Sequence, residues 1–252
     1  MGSTVAGKLA ARIYPRPARN LAAHHITARN LCQKWQFKGA RLLQLSARYL
    51  ILSRMPQPKI VLASSSPYRK KLLERLHLAF EVVAPEVDES PTSNEGPEAL
   101  VKRLAIAKAR AVAASVGNAL IIGADQVAVN ATGDMIGKPE SHERAIEQLR
   151  QASANWTTLY TGVALLNNQS EQIQYDTVPI KVLFRELSEN EIENYLRTEQ
   201  PYDCTGSVKV EGLGIALLSR LEGDDPSAII GLPLICLTRM LANEGVDVLS
   251  IA

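Results

Sequence analysis

A mixed α/β fold, with parallel and antiparallel strands in one sheet flanked by helices, is the class this 252-residue sequence predicts. Three observations carry that reading. Short apolar runs of strand length recur between amphipathic segments of helical period. Two long strand-like runs, TTLYTGVALLN and QYDTVPIKVLFREL, follow one another across the polar turn NNQSEQ, as a hairpin does. Strands and helices also intermix without the strict alternation of a doubly wound parallel sheet.

KIVLA reads as a buried strand, and after SSSP the leucines 72, 73, 76 and 78 recur at helical spacing, so the chain opens with strand, loop and helix. AFEVVAPEVDES reads as a second strand running into an acidic loop. GPEALVKRLAIAKARAVAASVG is an amphipathic helix with Leu100, Leu104, Ala107 and Ala111 on one stripe and Gly117 as its stop. ALIIGADQVAV follows as a buried strand, NATGD as a turn and SHERAIEQLRQAS as a helix. After the hairpin, Ser188 and Glu191 have the spacing of a capping box that opens a short helix through Arg197. GSVKVEGLGIALLSRLEG reads as strands, and AIIGLPLICLTRMLANEG as a helix ending at Gly245.

Composition sits inside the soluble globular range: net charge +2 and 46% hydrophobic residues. Residues 1–54 stand apart, with ten Lys or Arg and no acid, against 18 basic and 26 acidic residues from Met55 onward. That extension has the character of an organelle transit peptide, a disordered or artefactual upstream arm, or a basic nucleic-acid-binding arm, and no function is rested on it. Residues 55–252 are long enough for one packed domain. No run approaches the roughly 18 apolar residues of a membrane span. Cys32, Cys204 and Cys236 lack metal-ligand spacing and disulfide density, so a reducing compartment and inert packing roles are expected.

The chemistry starts at SSSPYRKK. Arg69, Lys70 and Lys71 open a helix at the end where the dipole repels positive charge. A phosphate among the free N–H groups would resolve this, with the hydroxyls of Ser64, Ser65 and Ser66 donating and Arg69 gripping two oxygens. The alternative is that Ser66 only caps the helix and the cations face water. Asp125, inside an otherwise apolar strand, must meet a cation, a metal ion or donors, because an unpaired buried charge is costly. Glu86, Asp88 and Glu89 form a third acidic set, and Mg²⁺, which favours one or two carboxylates plus substrate phosphates, suits a pair such as Glu89 and Asp125. Lys108 and Lys138 would complete a triphosphate cradle. A histidine base is not expected: His24 and His25 lie in the extension, and His77 and His142 on helix surfaces.

From Met55 to about Gly245 the motifs LASSSPYR, EVDE, LAIAKA, GADQ, GKP, YTGVAL, FRELSENEIENYL and GLPL occur in order, and with them the chain resembles the Maf-like nucleotide pyrophosphatases. The resemblance implies a single Maf/ITPase-like domain that cleaves a nucleoside triphosphate between its α and β phosphates, with a divalent cation (Mg²⁺, Mn²⁺ or Co²⁺). It implies that Asp125 is the proton acceptor and that Arg69, Glu89, Lys108 and Lys138 are the other polar active-site positions. Tyr68, Gln126 and Glu211 stand where substrate subgroups differ and resemble the subgroup acting on 7-methyl-GTP, in which tryptophan is usual at the first place. Members acting on dTTP and UTP carry a second arginine, a threonine and a glutamine there. An aromatic face suits a positively charged methylated guanine, and Glu211 can accept two N–H groups of that base. The expected partner is a nucleoside triphosphate in the cytoplasm, with no membrane or nucleic acid, and with a homodimer as the assembly allowed for. Broader clearance of modified or pyrimidine triphosphates, and a nucleotide- or nucleic-acid-binding regulator of cell division, are the competing readings.

Overall fold

The parallel half of the sheet is built first. In this computed structural model, which describes residues 58–250, strand β1 (Lys59–Ala63) pairs in parallel with both β2 (Glu81–Val83) and β3 (Ala119–Val129). The basic extension read at residues 1–54 lies outside the described residues. Helix α1 (Pro67–Glu74) returns from β1: the Ser66 hydroxyl accepts the Arg69 N–H at 3.4 Å and Pro67 takes the first turn, where its missing N–H costs nothing. Helix α2 (Pro97–Val116) spans the sheet and stops at Gly117, whose φ of 65° a glycine adopts without strain.

The antiparallel half follows. The short β4 (Met135–Ile136) folds back on the end of β3, and helix α3 (His142–Ala152) leads into the expected hairpin of β5 (Trp156–Asn167) and β6 (Gln172–Phe184). β5 lies antiparallel to β3, with Asp125 opposite Gly162 and Gln126 opposite Thr161. Helix α4 (Glu189–Glu199) begins with the complete capping box of Ser188 and Glu191. Strand β7 (Leu218–Glu222) pairs with β6, and helix α5 (Leu234–Asn243) closes the domain. The seven-stranded mixed sheet runs β2-β1-β3-β5-β6-β7, with β4 on β3, flanked by five helices as the sequence predicts.

Period-two alternation divides the cores. Leu62, Ile122 and Leu165 point to one face, where Leu72 and Leu73 of α1 and Leu237 and Leu241 of α5 cover them. Val61, Ala63 and Ile121 point to the other, against Ala109, Val112 and Val116 of α2. Each large apolar side chain so buried contributes about 1.5–3 kcal/mol. Helix α2 approaches the sheet closely because Gly123 and Gly162 lack side chains: a Cβ at either would overlap the carbonyl oxygen of Ala105 or of Val101.

Several expectations are corrected. The 206–223 stretch is mostly not strand: it forms 3₁₀ turns at Thr205–Ser207 and Leu213–Leu217 before β7. Gly206 (φ 68°) and Ser207 (φ 58°) are left-handed, and the Lys209 carbonyl accepts from both Gly212 and Gly214. The final helix is interrupted, since a 3₁₀ turn at Ala228–Ile230 ends in Gly231 (φ 108°) and Pro233 before α5 begins. On α2 the buried stripe is Leu100, Val101, Leu104, Ala105, Lys108, Ala109, Val112 and Val116, which leaves Ala111 exposed. Helix α4 runs two residues beyond Arg197. His77 sits in the turn after α1 with φ 53°, and His142 is no free surface residue: its ring nitrogens meet the Tyr202 hydroxyl at 2.8 Å and Glu193 at 2.9 Å. Among the described residues no helix is long and apolar enough to cross a membrane.

Candidate active site

The C-terminal ends of β1 and β3, the first turn of α1, the acidic loop after β2 and the loops around residues 138 and 203–211 surround one cleft of about 480 Å³. The residues expected to bind phosphate, metal or base line it: Ser64, Ser66, Tyr68, Arg69, Glu89, Lys108, Asp125, Gln126, Lys138 and Glu211. Ser65 lines it too.

Asp125 and Lys108 are its buried charges, 7% and 4% exposed. The Lys108 ammonium donates to Asp125 Oδ1 at 2.6 Å and pairs with Glu89 Oε1 at 2.7 Å, so one cation from α2 bridges a strand carboxylate and a loop carboxylate. The close seating of α2 over Gly123 and Gly162 puts the lysine beside Asp125, which lies two residues after Gly123 in β3 and opposite Gly162 of β5. Partial burial works to raise the Glu89 carboxyl, but its bond to Lys108 and the charges of Lys108, Lys138 and Arg69 outweigh that and hold it below its ordinary value.

Of the three cations opening α1, only Arg69 enters the cleft. Its Nε donates to the Gly231 carbonyl at 2.8 Å, and a side chain at 231 would crowd the guanidinium, which accounts for the glycine of GLPL. Burial lowers the Arg69 pKa while Asp125 and Glu89 pull it back up, and a guanidinium stays charged in proteins. Lys70 instead faces Glu74 at 3.9 Å and Lys71 is exposed. Ser66 is the helix cap, and the buried Ser64 hydroxyl accepts the Ser66 N–H at 3.1 Å; both hydroxyl hydrogens remain free to donate.

At the other end the Tyr68 hydroxyl donates to Asp203 at 3.2 Å, with Lys209 above its ring at 5.8 Å from the centroid. Burial, with Cys204 and Asp203 beside it, raises the phenol so that it stays neutral. Gln126 is held by its amide nitrogen, and Glu211 is exposed at the rim. Cys204, expected to be inert packing, lies at the cleft wall instead, although burial pushes its thiol up to about 12 and leaves it a poor nucleophile. Asp203, Cys204 and Thr205 had no sequence signal beyond a loop after α4. Thr161 does carry a signal, a hydroxyl inside the apolar run YTGVAL, because a buried hydroxyl needs a partner.

The three acids of the loop do not gather: only Glu89 lines the cleft, while Asp88 accepts the Ser90 N–H at 2.9 Å. Among the described residues no three His, Cys, Asp or Glu side chains form a metal cage. Two carboxylates, Glu89 and Asp125, face a space open to phosphates, which is the donor set Mg²⁺ accepts when substrate oxygens complete its shell. The residues present therefore fit a divalent ion shared with a phosphate ligand.

The sequence profile of the Maf-like protein family matches residues 59–244, and the chain belongs to that family. A Nitrosococcus oceani relative named 7-methyl-GTP pyrophosphatase is 54% identical over 192 residues, spanning 76% of this chain and 96% of its own. Relatives of the same name from Methylobacillus flagellatus and a Polaromonas species are 51% and 52% identical, over 76% and 74% of this chain and 100% and 85% of theirs. Among solved structures, the Staphylococcus aureus Ham1 protein overlaps 74% of this chain and 99% of its own at 13% identity and a TM-score of 0.43.

Proposed function

We propose that the cleft hydrolyses 7-methyl-GTP to 7-methyl-GMP and pyrophosphate, clearing a modified nucleotide. The observation that carries the reading is the convergence of Asp125, Lys108, Glu89, Arg69 and Lys138 on one cleft that Tyr68, Gln126 and Glu211 also line. The relatives at 51–54% identity, all bearing the name 7-methyl-GTP pyrophosphatase, support it.

In this mechanism Asp125 orients a water for attack on the α-phosphorus and takes its proton, a role open to a carboxylate held within β3 with one oxygen already engaged by Lys108. Arg69, Lys108 and Lys138 hold the phosphate oxygens and absorb the charge that develops on the leaving pyrophosphate; preorganised groups of this kind are typically worth about 10²- to 10³-fold each. Ser64 and Ser66 donate hydroxyl hydrogens to the phosphates at the start of α1. A divalent ion held by Glu89 and Asp125 would neutralise phosphate charge when bound. Tyr68 stacks on the cationic methylated base and Glu211 accepts its N–H groups, which a pyrimidine cannot match in number. Such chemistry belongs in the cytoplasm, where nucleoside triphosphates are abundant.

The test is pyrophosphate release from 7-methyl-GTP, GTP, dTTP and UTP with Mg²⁺, Mn²⁺ or Co²⁺ supplied in turn. The expected outcome is a kcat/KM for 7-methyl-GTP above that for every other nucleotide. A clear preference for dTTP or UTP overturns the substrate and leaves the hydrolase, whereas no release from any nucleotide overturns both.

A further inference from the structure

Thr161 is completely buried in β5, directly opposite Gln126 of β3, and has no place in the reaction described above. Its hydroxyl donates to the Ala228 carbonyl at 2.8 Å. With its hydrogen committed, the oxygen can only accept, and it accepts from Gln126 Nε2 at 2.9 Å. The same nitrogen also meets the carbonyls of Ala228 at 2.9 Å and Ile229 at 3.2 Å. Three acceptors thus surround one end of the Gln126 amide. Turning the amide over would press Oε1 against two carbonyl oxygens that have no hydrogen to give. The NH₂ group is therefore fixed inward, and Oε1, which meets no donor among the described residues, is the polar atom of Gln126 left for a ligand in the cleft.

We infer that Thr161 is a positioning residue for base selection: together with the Ala228 and Ile229 carbonyls it locks the Gln126 amide and makes that wall an acceptor only, so the site takes bases presenting an amino group there and rejects those presenting a carbonyl. The inference rests on the proposed reading that Gln126 faces the base, and it deepens that reading by naming the class of base. A guanine-type base has an N1–H and one amine hydrogen for Glu211, and the second hydrogen of that exocyclic amine for an acceptor wall. Uracil and thymine offer one imide N–H flanked by carbonyls, so meeting Glu211 would turn a carbonyl toward Gln126 Oε1. Polar mismatches of this kind discriminate more strongly than shape alone, because a buried polar group is left without a partner. Thr161 reads nothing itself; it removes the rotation that would let Gln126 accept either kind of base.

The experiment compares kcat/KM for 7-methyl-GTP and UTP in the full-length wild type, Thr161→Val, Thr161→Ser, Gln126→Leu and the Thr161→Val/Gln126→Leu double variant, with thermal melts confirming each is folded. Thr161→Val is expected to lower the 7-methyl-GTP to UTP ratio by about 3- to 10-fold, the worth of one hydrogen bond, mainly through KM. Thr161→Ser, which keeps the hydroxyl, is expected to restore the ratio, and the Thr161→Val change is expected to do nothing further once Gln126→Leu is in place. An unchanged ratio in Thr161→Val, a Thr161→Ser ratio as low as that of valine, or an undiminished effect of Thr161→Val on top of Gln126→Leu would each overturn the inference. If the wild type prefers a base other than 7-methylguanine, the substrate proposal fails separately, and the same cycle on the preferred pair still decides whether Thr161 acts through Gln126.

Discussion

The two ends of the cleft are made from different kinds of structure. Where the chemistry is proposed, Asp125 and Lys108 project from the interior of a strand and a helix, both nearly inaccessible, and the two elements are brought together by glycines that let α2 settle on the sheet. Where the base is proposed to bind, Tyr68 stands in the first turn of α1 and Glu211 in an exposed loop between two 3₁₀ turns, and only Gln126 comes from a strand. Rigid elements hold charges where a transition state needs them without reorganisation. Single hydrogen bonds hold the groups proposed to meet the base: Tyr68 donates to Asp203 and Gln126 donates to Thr161.

Asp125→Asn tests the reactive end and carries the largest expected effect. It keeps the shape and leaves Lys108 paired with Glu89, yet removes the base, so turnover should fall by about 10³-fold with little change in KM and a folded melt. Retention of a tenth of the wild-type rate would mean the proton goes elsewhere. Tyr68→Ala tests the base end. Loss of the aromatic face should raise KM for 7-methyl-GTP by about 3- to 30-fold, the range of a cation–π contact, while kcat and the UTP reaction change little. Equal damage to both nucleotides would show that Tyr68 merely shapes the loop.

The smallest effect sharpens how the acidic loop joins the two ends. Arg103 of α2 clasps Glu95 at 2.7 Å and the Ser90 carbonyl at 3.0 Å, and Glu95 also accepts the Thr92 N–H at 3.0 Å, which ties down the loop carrying Glu89. The Arg103 bond, with the Thr92 N–H behind it, holds the Glu95 carboxyl down to about 2. Because the folded value is depressed, the stability it contributes is full above the unfolded value, about 4.5, and is lost as pH falls through about 2. Urea midpoints of wild type and Glu95→Gln should therefore differ at pH 6 and converge between pH 4.5 and 2. A gap that stays constant across that window would remove the charge from the clasp.

Much of the site was legible because its chemistry is improbable in bare sequence. A carboxylate inside an apolar strand poses an electrostatic problem, which Lys108 answers, and cations opening a helix pose another, which Arg69 meets by turning into the cleft beside Asp125 and Glu89. The helix-start reading was legible only in part, since Arg69 turns into the cleft while Lys70 and Lys71 do not. The stretch from Gly206 to Glu222 misled because GSVKVEGLGIAL has the apolar content of a strand. Left-handed backbone at Gly206 and Ser207, and the carbonyl of Lys209 shared by two glycines, turn it into 3₁₀ structure, and such shared bonds leave no periodic trace.

By itself the sequence determined the elements with strong periodicity, the hairpin, the capping box at Ser188 and the identity of the charged and aromatic groups available to a nucleotide. These follow from local rules of period, capping and turn chemistry. Only the tertiary structure decided which of them meet: that Lys108 bridges Asp125 and Glu89, that Arg69 is the cation taken inward, and that Thr161 and two carbonyls hold the Gln126 amide one way round. Those pairings join residues 17 to 162 positions apart, and contacts over such separations are selected by the packing of the whole core rather than by any neighbour in the chain.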